Sequence, residues 1–170
     1  MPTIGELLNS KFNKSFKDQT LTGNNTTVST PLFRVTGTVK VTQLYSIVTT
    51  ALGSNLTATH WRTNDQTAQL PISAAAGTVI SSFAVGSKLT RKSTVAVALT
   101  ADNSSAAKVI DPVAATAPDV YMPFEVVQKT AAVQTDIEFT YTTTNAPTSG
   151  VIRHFVEWQP MSDGAALVAV

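Results

Sequence analysis

The sequence predicts an all-β protein in which two antiparallel sheets pack face to face as a sandwich. Three observations predict it. Apolar residues alternate with polar ones over short stretches, most cleanly from Asp136 to Thr143, and a period of two is that of a strand with one buried face. Turn formers punctuate these stretches at Asn64 and Asp65, Ala76 and Gly77, Asp102 and Asn103, Pro112, and Asn145 to Gly150. Charged residues make up only 14% of the chain while threonine, valine and alanine abound, as in sheets with one apolar and one hydroxyl-bearing face.

The chain of 170 residues is long enough for one such domain and short for two. We divide it into an N-terminal arm and linker (1–30), a β-sandwich domain (31–160) and a C-terminal tail (161–170). The arm opens on a helix signal: Thr3 caps, Glu6 reciprocates, and Ile4, Leu7, Leu8, Phe12 and Phe16 form an apolar stripe at helical spacing. Lys14 lies at its edge, Lys17 off it, and Lys11 interrupts it. Residues Gln19 to Thr30 are rich in Thr, Asn and Gly and lead into Pro31, a composition that reads as an exposed linker.

In the body, Leu32 to Leu52 reads as strand interrupted at Gly37, with Val39, Val41, Tyr45 and Ile47 on one face and Lys40, Thr42 and Ser46 on the other. Leu44 and Val48 break this alternation, which suggests a strand covered on both faces. Further strands are expected at Leu56 to Thr63, Thr67 to Ile72, Thr78 to Val85, Thr94 to Ala101, Tyr121 to Val127, Asp136 to Thr143 and Val151 to Gln159. Pro71 and Pro123 push two of them towards sheet edges. Ser104 to Pro118 reads as a long loop or an edge strand. Eight or nine strands without intervening helices favour a jelly roll, with an immunoglobulin-like sandwich as the alternative. The tail ends in the apolar run Ala165 to Val170, which needs a cover from its own domain or from a neighbour.

Composition narrows the function classes. A formal net charge of +1 makes no field that would gather nucleic acid or an anionic membrane, so neither is expected as a direct partner. The chain has no cysteine, hence no disulfide, thiolate metal site or cysteine nucleophile, in keeping with a reducing cytoplasm. It shows neither a secretory signal nor an apolar stretch of roughly 18 residues that would span a bilayer, and a soluble product is expected. Asn-x-Ser/Thr matches at Asn13, Asn24, Asn25, Asn55 and Asn103 read as products of an Asn- and Thr-rich chain.

Nor does a catalytic, cofactor or metal constellation emerge, so a non-enzymatic protein is expected. Of the two histidines, His154 shares strand parity with Ile152, Val156 and Trp158 and reads as a hydrogen-bonded residue in or beside the core. His60 reads as strand-edge packing. Glu125, Glu138 and Glu157 lie on strands and fit solvent-facing positions; they are the weak candidates for a glycosidase pair. Asp102, Asn103 and Asp111 suit turns better than a calcium loop, and the dispersed glycines build no phosphate cradle. Trp158 reads as core, and Trp61 is the better candidate for an exposed sugar-stacking platform.

Several segments resemble small structural proteins of tailed bacteriophages, above all capsid decoration (cement) proteins. They are the Thr-rich lead into Pro31, Leu32, Phe33, Arg34, Val35, Thr36 and Gly37; Val39 to Thr50 with its Ile47, Val48, Thr49, Thr50 end; Gly77, Thr78, Val79, Ile80 and Ser81; and Trp158 to Ala165. The resemblance implies a jelly-roll or related sandwich, commonly a homotrimer. Such a protein is made in the host cytoplasm and ends on the capsid surface of the virion, where its arms clamp the major capsid protein. On that reading the partner contacts are Ile4, Leu7, Leu8, Phe12 and Phe16, then Leu167, Val168 and Val170. The alternatives are a tail, neck or fibre-base component of the virion and a carbohydrate-binding β-sandwich module with a glycan as partner.

Overall fold

The computed structural model describes residues 13–77, 79–92, 94–103 and 123–170. These form eleven strands in chain order: β1 (Asn13–Thr20), β2 (Thr27–Thr36), β3 (Thr38–Thr50), β4 (Leu56–Asn64), β5 (Gln69–Pro71), β6 (Lys88–Thr90), β7 (Thr100–Asp102), β8 (Phe124–Val127), β9 (Thr135–Thr143), β10 (Val151–Pro160) and β11 (Ala166–Ala169). One sheet has the order β1-β10-β3-β6-β7, with β8 pairing the first part of β3 alongside. The other has the order β11-β2-β9-β4-β5. Every pairing between named strands is antiparallel, so the molecule is the all-β sandwich that the alternation predicts.

The core lies between the sheets. Val39, Val41, Leu44, Val48, Ile152, Val156 and Trp158 face Phe33, Val35, Leu56, Trp61, Ile137, Phe139 and Tyr141, and all are buried. Complete burial of a large apolar side chain contributes about 1.5–3 kcal/mol, so this layer dominates the fold's stability. Trp61 packs on Phe139 with ring centroids 5.6 Å apart, and Phe139 packs on Tyr141 at 5.9 Å.

Three β-bulges decide which side chains enter the core. In β3, Gln43 pairs Glu157 and Val41 pairs Trp158, which leaves Thr42 as the extra residue. The added residue reverses the inward parity from Val39 and Val41 to Leu44, Ser46 and Val48. The broken alternation of β3 is therefore a bulge and not cover on both faces: Tyr45 and Ile47 turn outward. In β2 the pairing passes from Pro31 to Phe33, so the adjacent Leu32 and Phe33 are both buried. In β4 it passes from Thr57 to His60 around Ala58, which sits at φ 51°, and Leu56, Thr59 and Trp61 all point inward.

The N-terminal expectation needs correction. Phe16, Lys14 and Lys17 lie on strand β1, not on a helix, and no helix occurs among the described residues; Ile4, Leu7, Leu8 and Phe12 lie outside the described residues. The segment read as a linker is only partly one: its two ends belong to β1 and β2, and 21–26 connect them. Gln19 and Leu21 are buried and β2 begins at Thr27. Among the described residues of the strand expected at Thr78 to Val85 there is an isolated bridge between Ile80 and Leu56 and no strand, and the short β6 is not among the expected strands. The apolar tail is covered by its own domain only in part: β11 pairs β2 from Thr36 to Phe33 and buries Leu167, while Val168 and Ala169 stay exposed.

Candidate functional site

The two ends of the sandwich meet on one rim. β1 is the outer strand of its sheet and β11 the outer strand of the other, and the Ser15 hydroxyl donates to the Leu167 carbonyl across the gap at 3.3 Å. Phe16 on β1 is 55% exposed and Val168 on β11 is 52% exposed, so both edges present apolar side chains to solvent. Leu167 points the other way, into the core, which removes it from the candidate partner contacts. Val168 and the half-buried Val170 remain.

Behind Phe16 the outer face of the sheet carries an ordered set of rows. Phe16, Phe155, Tyr45 and Thr90 lie opposite one another across β1, β10, β3 and β6. Phe155 stacks on Tyr45 at 5.0 Å and Phe16 tilts onto Phe155 at 6.2 Å. A charged row flanks this aromatic row on each side. On one, Lys14 pairs Glu157 at 3.3 Å and donates to the Tyr45 hydroxyl at 2.9 Å. On the other, Arg153 forks onto Asp18 through two bonds of 2.7 Å and lies over the Phe16 ring. The Arg153 guanidinium holds the Asp18 carboxyl below its ordinary range, and the Tyr45 hydroxyl, then Glu157, hold the Lys14 ammonium above its own.

β1 is fastened to the interior by a buried polar chain. His154 on β10 lies between Ser46 Oγ at 2.6 Å on Nδ1 and Gln19 Oε1 at 2.9 Å on Nε2. Gln19 in turn donates from Nε2 to Thr30 Oγ1 of the opposite sheet at 2.7 Å. With Gln19 Oε1 as acceptor, Nε2 carries the ring proton and Nδ1 accepts from the serine. Burial takes the ring out of water and lowers its pKa to about 3, against a weak opposing pull from Asp18, so His154 is neutral. The serine–histidine contact has the elements of a nucleophile and its base, but both residues are fully buried and the other ring nitrogen meets the Gln19 amide oxygen. This arrangement ties β1, β3 and β10 to β2.

No family model, curated protein or solved structure matches the chain.

The remaining candidates disperse over the fold. Trp61, expected on an exposed face, is completely buried, because the bulge at Ala58 turns it inward. Trp158 is core, as its parity predicts. Glu138 points outward on β9, yet Arg62 Nε at 3.0 Å and Asn64 Nδ2 at 2.8 Å cover it, so it is buried rather than solvent-facing. Glu157 serves the Lys14 pair. Glu125 lines an apolar groove of ≈ 280 Å³ between β5 and β8, with Leu70 and Val127 on its rim. At one end of that groove, Asp65 closes a turn by accepting from the Thr67 and Ala68 amides at 2.9 and 2.5 Å, which holds its carboxyl well below the ordinary range. His60 Nδ1 lies 2.8 Å from the Ala58 carbonyl at the bulge. Asn103 accepts from Ser87 Oγ at 3.3 Å as a turn residue, and Asp111 lies outside the described residues.

The outward aromatic row is hidden in the sequence. Helical spacing claims Phe16 and simple alternation puts Tyr45 on the inward face, so the signal lies in cross-strand register, which one strand's pattern does not contain.

Proposed function

We propose that the chain is a non-enzymatic structural protein of a virion, a capsid decoration or cement protein that binds and stabilises the shell of the major capsid protein. The observation that carries this reading is the rim where β1 and β11 lie side by side. Phe16 of β1 and Val168 of β11 are both exposed there, so the two edge strands present apolar side chains to one neighbour.

The strand order supports the finer reading of the sandwich as a jelly roll. β1 pairs β10, β2 pairs β9, β3 pairs β8 and β4 pairs β5. The chain thus behaves as one long antiparallel ribbon, and rolling it brings β10 onto β3 and β9 onto β4. β6 and β7 interrupt the ribbon, and β11 extends it. Viral capsid domains use this architecture, and so do lectins. A fold alone does not assign a function, and the assignment to the capsid rests on the sequence resemblance together with the rim. A homotrimer at a threefold position would multiply weak contacts by avidity.

The test is electron microscopy of assembled particles carrying the full chain or a chain lacking residues 1–12. The deletion stops there because β1 begins at Asn13. Density on the capsid surface that is lost with the deletion is expected. Undiminished capsid binding would overturn the role of the arm, and density at a tail, neck or fibre base would favour the other virion reading. The sugar-binding alternative loses its carrier, because replacing the buried Trp61 would damage the core whether or not a glycan binds.

A further inference from the structure

We propose that β1 is a two-fold association edge: two copies of this chain pair their β1 strands antiparallel, with Phe16 opposite Phe16, and continue one sheet across both molecules.

The backbone fixes the phase. Among the described residues β1 pairs only with β10, and the Leu21 amide donates to the Gly150 carbonyl at 3.0 Å in the same register. In an antiparallel ladder, bonded and unbonded pairs alternate. Odd residues of β1 are therefore bonded to β10, and Lys14, Phe16, Asp18 and Thr20 direct their N–H and C=O groups to the free edge. An unpaired edge is a template for another strand, and a two-fold partner must use these even residues as its bonded pairs.

Side-chain charge then selects the register. An axis at residue 14 sets Lys14 against Lys14, and an axis at residue 18 sets Asp18 against Asp18. An axis at residue 17 sets Lys17 against Lys17 on the other face, and an axis at residue 15 sets Lys14 opposite Phe16 with no opposite charges facing. An axis at Phe16 sets Lys14 opposite Asp18 of the second copy, twice by symmetry. The row across the junction then reads Glu157, Lys14, then Asp18 and Arg153 of the second copy, in strictly alternating sign, because each charge at the edge is already paired inward. Opposite charges directly across a strand pair stabilise it and like charges do the reverse. The same axis brings Phe16 beside its copy, so the Tyr45, Phe155, Phe16 row continues into the second molecule and covers the ring that is most exposed. Lys17, the charge on the other face that could block an edge, falls opposite Ser15 of the second copy. Such a contact closes at two copies and does not depend on the capsid reading.

The test is analytical ultracentrifugation of the full chain over a wide concentration range at low salt, with Lys14→Asp and Asp18→Lys variants. The unaltered chain is expected to dimerise reversibly. Each variant alone places like charges opposite each other twice and should dimerise about tenfold more weakly. Mixed together they form complementary pairs, because the first variant is acidic at both positions and the second is basic at both, and the mixed dimer should recover. Damage to the inward pairs with Glu157 and Arg153 is the same alone or mixed, so recovery reports the interface. Hydrogen exchange on the unaltered chain gives a second measurement: amides of Lys14, Phe16 and Asp18 should slow as concentration rises, while those of Ser15 and Lys17 stay constant. A chain that remains monomeric, variants that dimerise like the original, a mixture that does not recover, or exchange at Phe16 that ignores concentration would each overturn the proposal.

Discussion

His154 gives this fold an acid sensitivity whose size follows from its surroundings. Its pKa is lowered from 6.5 to about 3 by burial, and its two nitrogens face a hydroxyl and an amide oxygen, neither of which is anionic. The unfolded chain takes up this proton near pH 6.5, while the folded chain resists until about pH 3. Stability from the neutral ring is therefore complete above pH 6.5. Below it, stability falls by about 1.4 kcal/mol per pH unit, because the unfolded state binds one more proton. Between pH 6.5 and 4.5 the loss amounts to about 3 kcal/mol, a large part of the roughly 5–15 kcal/mol that holds a domain together. The lowered carboxyls of Asp18 and Asp65 also cost stability in acid, but only below their ordinary value of 3.8, so this window belongs to the histidine. Urea unfolding at a series of pH values measures it, with His154→Gln as the comparison. The variant should lose about 1–3 kcal/mol at neutral pH through a broken polar chain, and its stability should be flat over the window. If the unaltered chain shows no loss there, or the glutamine variant keeps the slope, the ring is not the buried neutral link that fastens β1.

Three other perturbations follow from the packing. Gly37 joins β2 to β3 at φ 65°, and a Cβ there would meet Ser162 Oγ at 2.7 Å, so Gly37→Ala should lower stability by about 1–3 kcal/mol in the same urea assay. Glu138→Ala leaves the Arg62 guanidinium without its carboxylate partner and should cost about 3 kcal/mol; Glu138→Gln, which can still accept from Asn64, should cost less. Thr59 Oγ1 is buried with no hydrogen-bond partner among the described residues, so Thr59→Val should raise the melting temperature, the gain being about 1 kcal/mol for removing a desolvated hydroxyl.

Alternation is readable where a strand runs without interruption. Along β9, Ile137, Phe139 and Tyr141 are buried as their parity demands, and along β10 the same reasoning places His154, Val156 and Trp158 inside. What parity does not contain is the cover on the opposite face: Glu138 points outward as expected, but Arg62 and Asn64 of the neighbouring β4 close over it. Exposure of an outward residue depends on its neighbours' lengths and not on its own strand's pattern.

The misreadings of Tyr45 and Trp61 have one physical origin. A bulge adds a residue to one strand only, so every side chain beyond it changes face, and nothing in a local window records the partner that makes the count unequal. Thr42 reverses β3, which puts Tyr45 outward, and Ala58 reverses β4, which puts Trp61 inward. The same two shifts exchange the functional emphasis of the molecule. They remove the tryptophan that would have served as a sugar platform and create the outward Tyr45, against which Phe155 and then Phe16 align. The edge of β1 carries ordered aromatic and charged rows because the bulge in β3, two strands away, turns Tyr45 towards solvent. Restoring simple alternation by deleting Thr42 should therefore drive Tyr45 and Ile47 towards the core, and the fold could absorb that only by dissolving the rows that end at Phe16.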